Sequence, residues 1–290
     1  MTRLVGIDWG TTNLRAFRLG EEGEVLEARS DPRGAGGLTP DQFPQVLRDV
    51  AGDWLASGCA VMICGMAGAR AGWVEAPYVF CPAGPEDLAA QVVQPEDGVA
   101  IAPGVALSAD GLDDVMRGEE TQAVGLFGPG ESGVMVAPGT HSKWIAVRDG
   151  RIERFRTFAT GELFAAVRTA TLIGRGLPEP GADDAAFDEG VRLALADPAI
   201  TAHLFSVRVR QLSGGLDPQG ASDFLSGLLL GAEIAAAPAE RTASVAIVGG
   251  EGLSARYARG LALAGFTSVR VAAGETAAAR GLYRIWSMMK

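Results

Sequence analysis

Residues that build disulfide frameworks and metal centres are scarce in this sequence. It has three cysteines, Cys59, Cys64 and Cys81, and two histidines, His141 and His203. An odd set of three cysteines does not make a disulfide framework, and their spacing is not that of a zinc site. Two histidines likewise argue against a histidine-rich metal centre. We interpret the cysteines as buried free thiols in a reducing compartment.

Long apolar runs and positive charge are also lacking. No stretch approaches the roughly 18–20 apolar residues that span a bilayer, and no basic segment followed by an apolar run suggests a secretion signal. The formal net charge is -10 over 290 residues, and no lysine and arginine cluster interrupts it. Because nucleic acids bind largely through such cations, we expect a cytoplasmic protein with no nucleic-acid or membrane partner.

The apolar residues that are present follow an α/β pattern with an internal repeat. A strand over residues 4–7 leads into a turn at Gly10-Thr11 and then a hairpin. The same order returns after residue 133, with Gly139-Thr140 at the turn. Such a repeat predicts two related halves. Further strands are predicted over residues 60–64, 99–102, 244–248 and 268–271, and helices over 39–54, 86–93, 119–127, most of 160–237, 253–264 and 275–288.

We place the domain boundary at the Gly-Pro-Gly segment, residues 128–130. The N-terminal lobe then comprises residues 1–128, with one Gly-Thr turn and the glycine-rich loop 65–78. The C-terminal lobe comprises residues 129–290, with the second Gly-Thr turn and a glycine-rich segment at residues 249–252.

The first loop, residues 8–13, reads Asp-Trp-Gly-Thr-Thr-Asn and follows a buried strand. Glycine lets the backbone approach a phosphate, amides and hydroxyls can donate to it, and Asp8 can hold a hydrated Mg²⁺. An ordinary turn favours the same residue types, so this loop alone leaves both interpretations open.

The second loop, residues 138–142, reads Pro-Gly-Thr-His-Ser and repeats the first without its acid, since Ala137 stands in the place of Asp8. Two such loops facing each other across a cleft would clamp a triphosphate, with one of them supplying the metal-side carboxylate. The repeat therefore favours phosphate binding. We assign no catalytic role to His141.

Three further segments each allow a functional and a purely structural interpretation. Residues 249–252, Gly-Gly-Glu-Gly, could cover an adenosine or form a simple strand-to-helix turn. Glu119 and Glu120 open a short helix, where one could act as a general base or both could merely complement the helix dipole. The glycine-rich loop 65–78 could bind a sugar acid or pack as a surface loop. The chain has no Gly-x4-Gly-Lys-Ser/Thr loop.

Taken together, these segments resemble the superfamily of sugar kinases, heat-shock ATPases and actin, and within it the 2-dehydro-3-deoxygalactonokinase family. The resemblance runs in order over nearly the whole chain and rests on residues 7–15, 65–68, 72–73, 76–78, 115–122, 138–144, 160–162 and 224–229. It implies an α/β fold with two ribonuclease-H-like lobes of the actin and hexokinase type and a cleft between them. It also implies phosphorylation of 2-dehydro-3-deoxy-D-galactonate on its 6-hydroxyl, with ATP and Mg²⁺.

The resemblance also implies roles for individual residues. Asp8 would organise Mg²⁺ and the transferring phosphate, and we favour Glu120 over Glu119 as the base. The nucleotide would contact Gly10, Thr11, Thr12, Gly139, Thr140, Ser142, Gly249 and Gly250. The sugar acid would contact Asn13, Arg15, Gly68, Arg70, Trp73, Tyr78 and Arg117, with Arg15, Arg70 and Arg117 as candidate partners of its carboxylate.

Two other functions stay open at this stage. The same fold could phosphorylate another sugar acid or sugar, or serve as a nucleotide-switched, actin-like binding protein without catalysis. A homodimer is the assembly that we allow for.

Overall fold

The computed structural model describes residues 4–56, 58–109, 112–181, 183–197 and 199–289. Its strands are β1 (Leu4–Trp9), β2 (Leu14–Leu19), β3 (Val25–Asp31), β4 (Ala60–Gly65), β5 (Tyr78–Phe80), β6 (Val93–Glu96), β7 (Val99–Ile101), β8 (Gly104–Ala109), β9 (Leu112–Met116), β10 (Gly133–Ala137), β11 (Ser142–Arg148), β12 (Arg151–Phe158), β13 (Ser244–Val248) and β14 (Ser268–Ala272). Its helices are α1 (Phe43–Leu55), α2 (Pro85–Ala89), α3 (Glu119–Leu126), α4 (Thr160–Ala170), α5 (Asp184–Ala196), α6 (Ile200–Leu212), α7 (Pro218–Ala236), α8 (Glu251–Leu263) and α9 (Gly274–Met288).

The chain divides into two compact units. The first comprises Met1–Ser132, Ile145–Phe155 and Ala273–Lys290, and the second comprises Gly133–Trp144 and Arg156–Ala272. This division differs from the predicted domains in three respects: its first boundary follows Ser132, and both the segment Ile145–Phe155 and the C-terminal helix belong to the first unit. The helix belongs there because its apolar face packs on α3 and on the first sheet, where the Leu282 side chain covers Gly6.

The first unit is built on a six-stranded sheet in the order β3-β2-β1-β4-β7-β6. Strand β1 is antiparallel to β2 and parallel to β4. Its residues Leu4, Val5 and Ile7 are fully buried, as expected for a central strand that is covered on both faces. A core cluster joins this strand to α1 through Phe43, Leu47 and other apolar residues.

The second sheet repeats the topology of the first in the order β12-β11-β10-β13-β14. Strand β13 is parallel to both β10 and β14. In the second unit one core cluster lies beside this sheet and another lies among α5, α6 and α7. The repeated order, in which a hairpin precedes parallel strands, confirms the α/β class with two ribonuclease-H-like units.

A small third sheet, in the order β5-β8-β9, was not anticipated from the sequence. The predicted helix over 86–93 is also wrong in its extent, because α2 ends at Ala89 and Val93 opens β6. The β-branched Val92 and Val93 favour extended backbone, and Pro95 excludes a continuing helix. Within the described ranges, no helix is both long enough and apolar enough to cross a lipid bilayer.

Candidate active site

The carboxylate of Asp8 lies near the end of β1, and its side chain is only 15% exposed. The Cα atoms of Asp8 and Cys64 are register partners on parallel strands, and the Cys64 thiol lies 3.8 Å from Oδ1 of Asp8. Burial raises the pKa of Asp8, the charge of Arg15 opposes this shift, and the charge of Glu119 adds to it. An ionised Asp8 is therefore only partly compensated by Arg15, and a further cation would stabilise it.

The carbonyls of the first loop are bonded to the chain behind it. Gly10 O accepts from the Ala35 amide and Thr11 O accepts from the Gly36 amide, each at 2.9 Å. A Cβ at Gly34 would lie 2.3 Å from Thr11 O, so only glycine allows this approach. The side chains of residues 11–13 stay exposed. An incoming phosphate would thus meet hydroxyl and amide groups. The carbonyl oxygens of Gly10 and Thr11, which would repel a phosphate, are already hydrogen-bonded to the amides of Ala35 and Gly36.

The acidic pair opens α3, directly after Gly118. Glu120 is fully buried, and its carboxylate accepts hydrogen bonds from the Gly118 amide at 2.6 Å and the Thr121 hydroxyl at 2.8 Å. Burial and the charge of Glu119 raise the pKa of Glu120 to about 7. Glu119 is half-buried. A carboxyl group with a pKa near neutrality suits proton transfer at physiological pH.

Three of the predicted sugar residues lie together. The Arg117 guanidinium donates to Ala76 O at 2.8 Å, and its Cζ lies 4.5 Å from the centre of the Tyr78 ring. A Cβ at Gly68 would lie 2.9 Å from Nη1 of Arg117. Gly68, Tyr78 and Arg117 therefore lie in contact. We call these three residues and Ala76 the Arg117 cluster.

The other predicted sugar residues lie apart from that cluster or have partners of their own. The Arg70 side chain is 90% exposed and pairs with Glu75 at 3.5 Å. Trp73 stacks on Phe43, with ring centroids 6.1 Å apart, so it is part of the core packing. Arg15 Nε pairs with Glu275 at 3.1 Å. Asn13 is exposed in the first loop.

In the second unit, the second loop is braced by the start of α4. The Glu162 amide donates to Thr140 O at 2.9 Å, and His141 Nε2 lies 2.6 Å from Oε2 of Glu162. A Cβ at Gly161 would lie 2.4 Å from Gly139 O. The loop backbone is thus held by close contacts, while the Thr140 side chain is exposed.

Ser142 turns away from solvent and joins a buried polar network. It is fully buried, and its Oγ lies 2.6 Å from the Tyr257 hydroxyl. Tyr257 donates to Glu233, 2.9 Å away at Oε1, and Trp144 Nε1 donates to the same oxygen at 2.8 Å. In this structure the Ser142 hydroxyl therefore anchors the end of the second loop through a buried hydrogen bond with Tyr257.

Sequence reasoning missed Glu233 and Tyr257. The available signal was a lone carboxylate in the otherwise apolar end of α7, where Glu233 is 2% exposed. A buried acid of this kind requires partners, and a search for donors would have pointed to nearby aromatic hydroxyl and indole groups.

The glycine pair after β13 lies at the start of α8. Gly250 is the residue before the helix, and a Cβ at this position would meet nothing within 4 Å, whereas at Gly249 it would touch the Pro138 ring at 3.3 Å. A cavity of about 600 Å³ in the second unit is lined by Gly252 and Leu253 of the same turn together with Phe187 and Arg256. Its size suits a nucleoside.

The three cysteines and the proposed metal ligand Asp8 were also predicted from the sequence. Cys64 is buried within β4, but Cys59 and Cys81 are half-buried, so the prediction of buried thiols is wrong for these two: Cys59 lies just before β4 and Cys81 just after β5, outside the strands. Across the part of the chain that the structure describes, no three acidic, histidine or cysteine side chains converge on one point. A single carboxylate such as Asp8 nevertheless fits Mg²⁺, which commonly binds one or two carboxylates together with substrate phosphates and water.

Comparison with known proteins identifies the family. A model of the 2-keto-3-deoxy-galactonokinase family matches residues 8–285. A 2-dehydro-3-deoxygalactonokinase of Escherichia coli strain K12 is 38% identical over 285 residues, which cover 98% of this chain and 97% of the relative.

Solved structures include one similar in sequence and fold and another similar in fold alone. A candidate 2-dehydro-3-deoxygalactonokinase from Sinorhizobium meliloti has a TM-score of 0.87 at 35% identity, covering 97% of both chains. The activator of 2-hydroxyisocaproyl-CoA dehydratase from Clostridium difficile, with bound ADPNP, has a TM-score of 0.51 at 16% identity over 99% of this chain and 96% of that one, a likeness of fold. On the family match and the identity over nearly its full length, this chain belongs to the 2-keto-3-deoxy-galactonokinase family.

Proposed function

We propose that this protein transfers the γ-phosphate of ATP to the 6-hydroxyl of 2-dehydro-3-deoxy-D-galactonate. The observation that carries the proposal is the desolvated carboxylate of Asp8 at the head of a hydroxyl-rich loop, in a chain of the galactonokinase family. We propose that the reaction takes place in the cytoplasm, and we expect neither a nucleic-acid nor a membrane partner.

The first loop is proposed to hold the terminal phosphates with Gly10, Thr11 and Thr12. Mg²⁺, when bound, would neutralise charge on the phosphates and orient them. Asp8 would contribute the protein carboxylate to that site. Its raised pKa supports this role, because the free energy cost of ionising Asp8 in its buried position falls when a cation is near.

The second loop is proposed to bind phosphate through the backbone at Gly139 and the exposed hydroxyl of Thr140. Ser142 would act through its bond to Tyr257, by fixing the end of the loop. Gly249 and Gly250 would line the nucleotide at the start of α8, beside the cavity that Gly252 and Leu253 help to form.

Glu120 is our proposed proton acceptor. The oxygen of the 6-hydroxyl attacks the γ-phosphorus as the bond between that phosphorus and the bridging oxygen breaks, and ADP leaves. The hydroxyl proton passes to the carboxylate, whose pKa of about 7 suits this transfer. Because Glu120 is fully buried and hydrogen-bonded to Gly118 and Thr121, a local rearrangement of the α3 N-terminus must expose it. Glu119, which is half-buried, is the alternative.

ADP release tested against a panel of sugar acids and neutral sugars examines this proposal directly. We expect Mg²⁺-dependent release with 2-dehydro-3-deoxy-D-galactonate and little release with other acids. Phosphorylation of a different hexonate would support the proposed kinase activity but assign it a different substrate. ATP-driven filaments with no phosphorylated sugar would instead favour an actin-like binding protein and overturn the proposal.

A further inference from the structure

We infer that Arg117, and neither Arg15 nor Arg70, binds the carboxylate of the sugar acid, with Gly68 and Tyr78 fixing the guanidinium in place. This inference rests on the proposed function and selects one cation from the three that the sequence allows.

The hydrogen bonding of Arg117 is incomplete. One nitrogen, Nη2, donates to Ala76 O at 2.8 Å. Among the described residues, Nε and Nη1 are buried without any hydrogen-bond partner. Leaving buried N–H groups of a charged side chain unpaired is costly. A carboxylate can accept one N–H bond from Nε or from Nη1 together with the second N–H of Nη2, and such a paired interaction would satisfy one of these groups.

The surroundings of Arg117 hold its guanidinium while leaving it room. A Cβ at Gly68 would lie 2.9 Å from Nη1 and 3.1 Å from both Ala76 Cβ and Ile101 Cγ2, so the space that Nη1 occupies exists because residue 68 is glycine. The Tyr78 ring covers the guanidinium, with 4.5 Å between Cζ and the ring centre. Tyr78 is itself 41% exposed, so a ligand can reach this ring, and displacement of the ring would open the buried Nε and Nη1 of Arg117 to the ligand.

The other two arginines already have acidic partners. Arg15 Nε pairs with Glu275 at 3.1 Å, and its Nη1 lies 3.9 Å from Asp8. Arg70 pairs with Glu75 at 3.5 Å, but its side chain is 90% exposed, so water competes for its charge. A substrate carboxylate would have to displace a protein carboxylate at either position, whereas no acid within the described ranges forms an ion pair with Arg117.

The position of Arg117 in the chain is consistent with this role. It precedes the Glu119–Glu120 pair by two and three residues. One short segment would therefore contact the carboxylate end of the substrate through Arg117 and serve its hydroxyl end through the acidic pair.

The test compares Arg117→Ala and Arg117→Lys with the matched control Arg70→Ala. Each is assayed with 2-dehydro-3-deoxy-D-galactonate and with a neutral analogue that carries a hydroxymethyl group in place of the carboxylate. We expect Arg117→Ala to raise the KM for the acid about 100-fold or more, with kcat and the KM for ATP changing much less. The kcat/KM for the neutral analogue should change little.

Arg117→Lys and one further variant, Gly68→Ala, refine the result. Arg117→Lys keeps a cation but loses the planar pair of donors, so we expect an intermediate KM for the acid. It also keeps the test valid if the alanine variant does not fold. Gly68→Ala should raise the same KM, because the added Cβ displaces Nη1.

Equal losses for the acid and the neutral analogue in both Arg117 variants would overturn the inference. So would a larger increase in the KM for the acid in Arg70→Ala. The wild-type protein is assayed first: if it phosphorylates no sugar acid at all, the proposed function fails and this inference fails with it. Wild-type activity that is insensitive to Arg117 overturns the inference alone.

Discussion

Asp8 and Cys64 are register partners on the parallel strands β1 and β4, with the Cys64 thiol 3.8 Å from Oδ1 of the carboxylate. Burial raises the pKa of the Cys64 thiol well above its usual value, so the thiol keeps its proton and can donate it to Asp8. This weak donor and the Arg15 guanidinium, 3.9 Å away and 40% exposed, together compensate only part of the free energy cost of burying the Asp8 charge. The fold therefore bears a stability cost at a residue that the proposed reaction needs.

Asp8→Asn should make the protein inactive and more heat-resistant. The folded-state pKa of Asp8 lies above its ordinary value, so its stabilising contribution is present at low pH and is lost as pH rises through that folded-state pKa. An amide cannot ionise, so the variant should have the higher Tm at neutral pH in the absence of nucleotide. Turnover should fall about 100-fold or more. Near-normal ADP release would contradict the metal role, and exposed Asp41→Asn is the control.

Wild-type kcat/KM should rise with pH up to about 7 and then level off. The reason is that Glu120, whose pKa is raised to about 7 by burial, must lose its own proton before it can accept one from the hydroxyl. Glu120→Gln should lower kcat about 100-fold or more, retain nucleotide binding and abolish this pH dependence. Steady-state rates between pH 5.5 and 9 test the prediction. A larger loss in Glu119→Gln would move the base to Glu119.

Tyr257→Phe should destabilise the second unit and weaken ATP binding. It removes the hydroxyl that bonds both Ser142 and Glu233, which leaves two buried polar groups short of a partner. We expect a loss of about 1–3 kcal/mol in the free energy of unfolding and a higher KM for ATP. Ser254→Ala, on the same helix, removes a buried hydroxyl with no partner among the described residues, and it should leave both quantities nearly unchanged. Equal effects in the two variants would show that the network is unimportant.

Gly281→Ala should loosen the packing of α9 against α3, the helix that carries the acidic pair. An added Cβ would lie 1.9 Å from Thr121 O, a backbone atom that cannot move without shifting α3. We expect a loss of about 1–3 kcal/mol in urea unfolding and a lower kcat. Gly52→Ala on α1 is the matched control, because its Cβ meets nothing within 4 Å, and it should stabilise the protein by about 0.5–1 kcal/mol. Similar losses at both positions would refute the packing argument.

Local signals were sufficient for most of the fold. The segment predicted as a helix over 39–54 opens with a capping box, in which the Thr39 amide donates to Gln42 Oε1 at 2.9 Å. Strand β13 matches its predicted range, Ser244–Val248. The third sheet escaped prediction because β8 and β9 stabilise each other by pairing, and strand pairing depends on contacts between strands more than on local preference.

The sequence by itself determined the two loops, the acidic pair, the repeated topology and the family, because each is written in residues that are close in the chain. Tertiary structure decided which of these side chains have partners. It turned Ser142 inward toward Tyr257, packed Trp73 on Phe43 and left two N–H groups of Arg117 buried and unpaired in the described part of the chain. These outcomes depend on burial and hydrogen bonding between residues that are distant in sequence, which local sequence patterns do not encode.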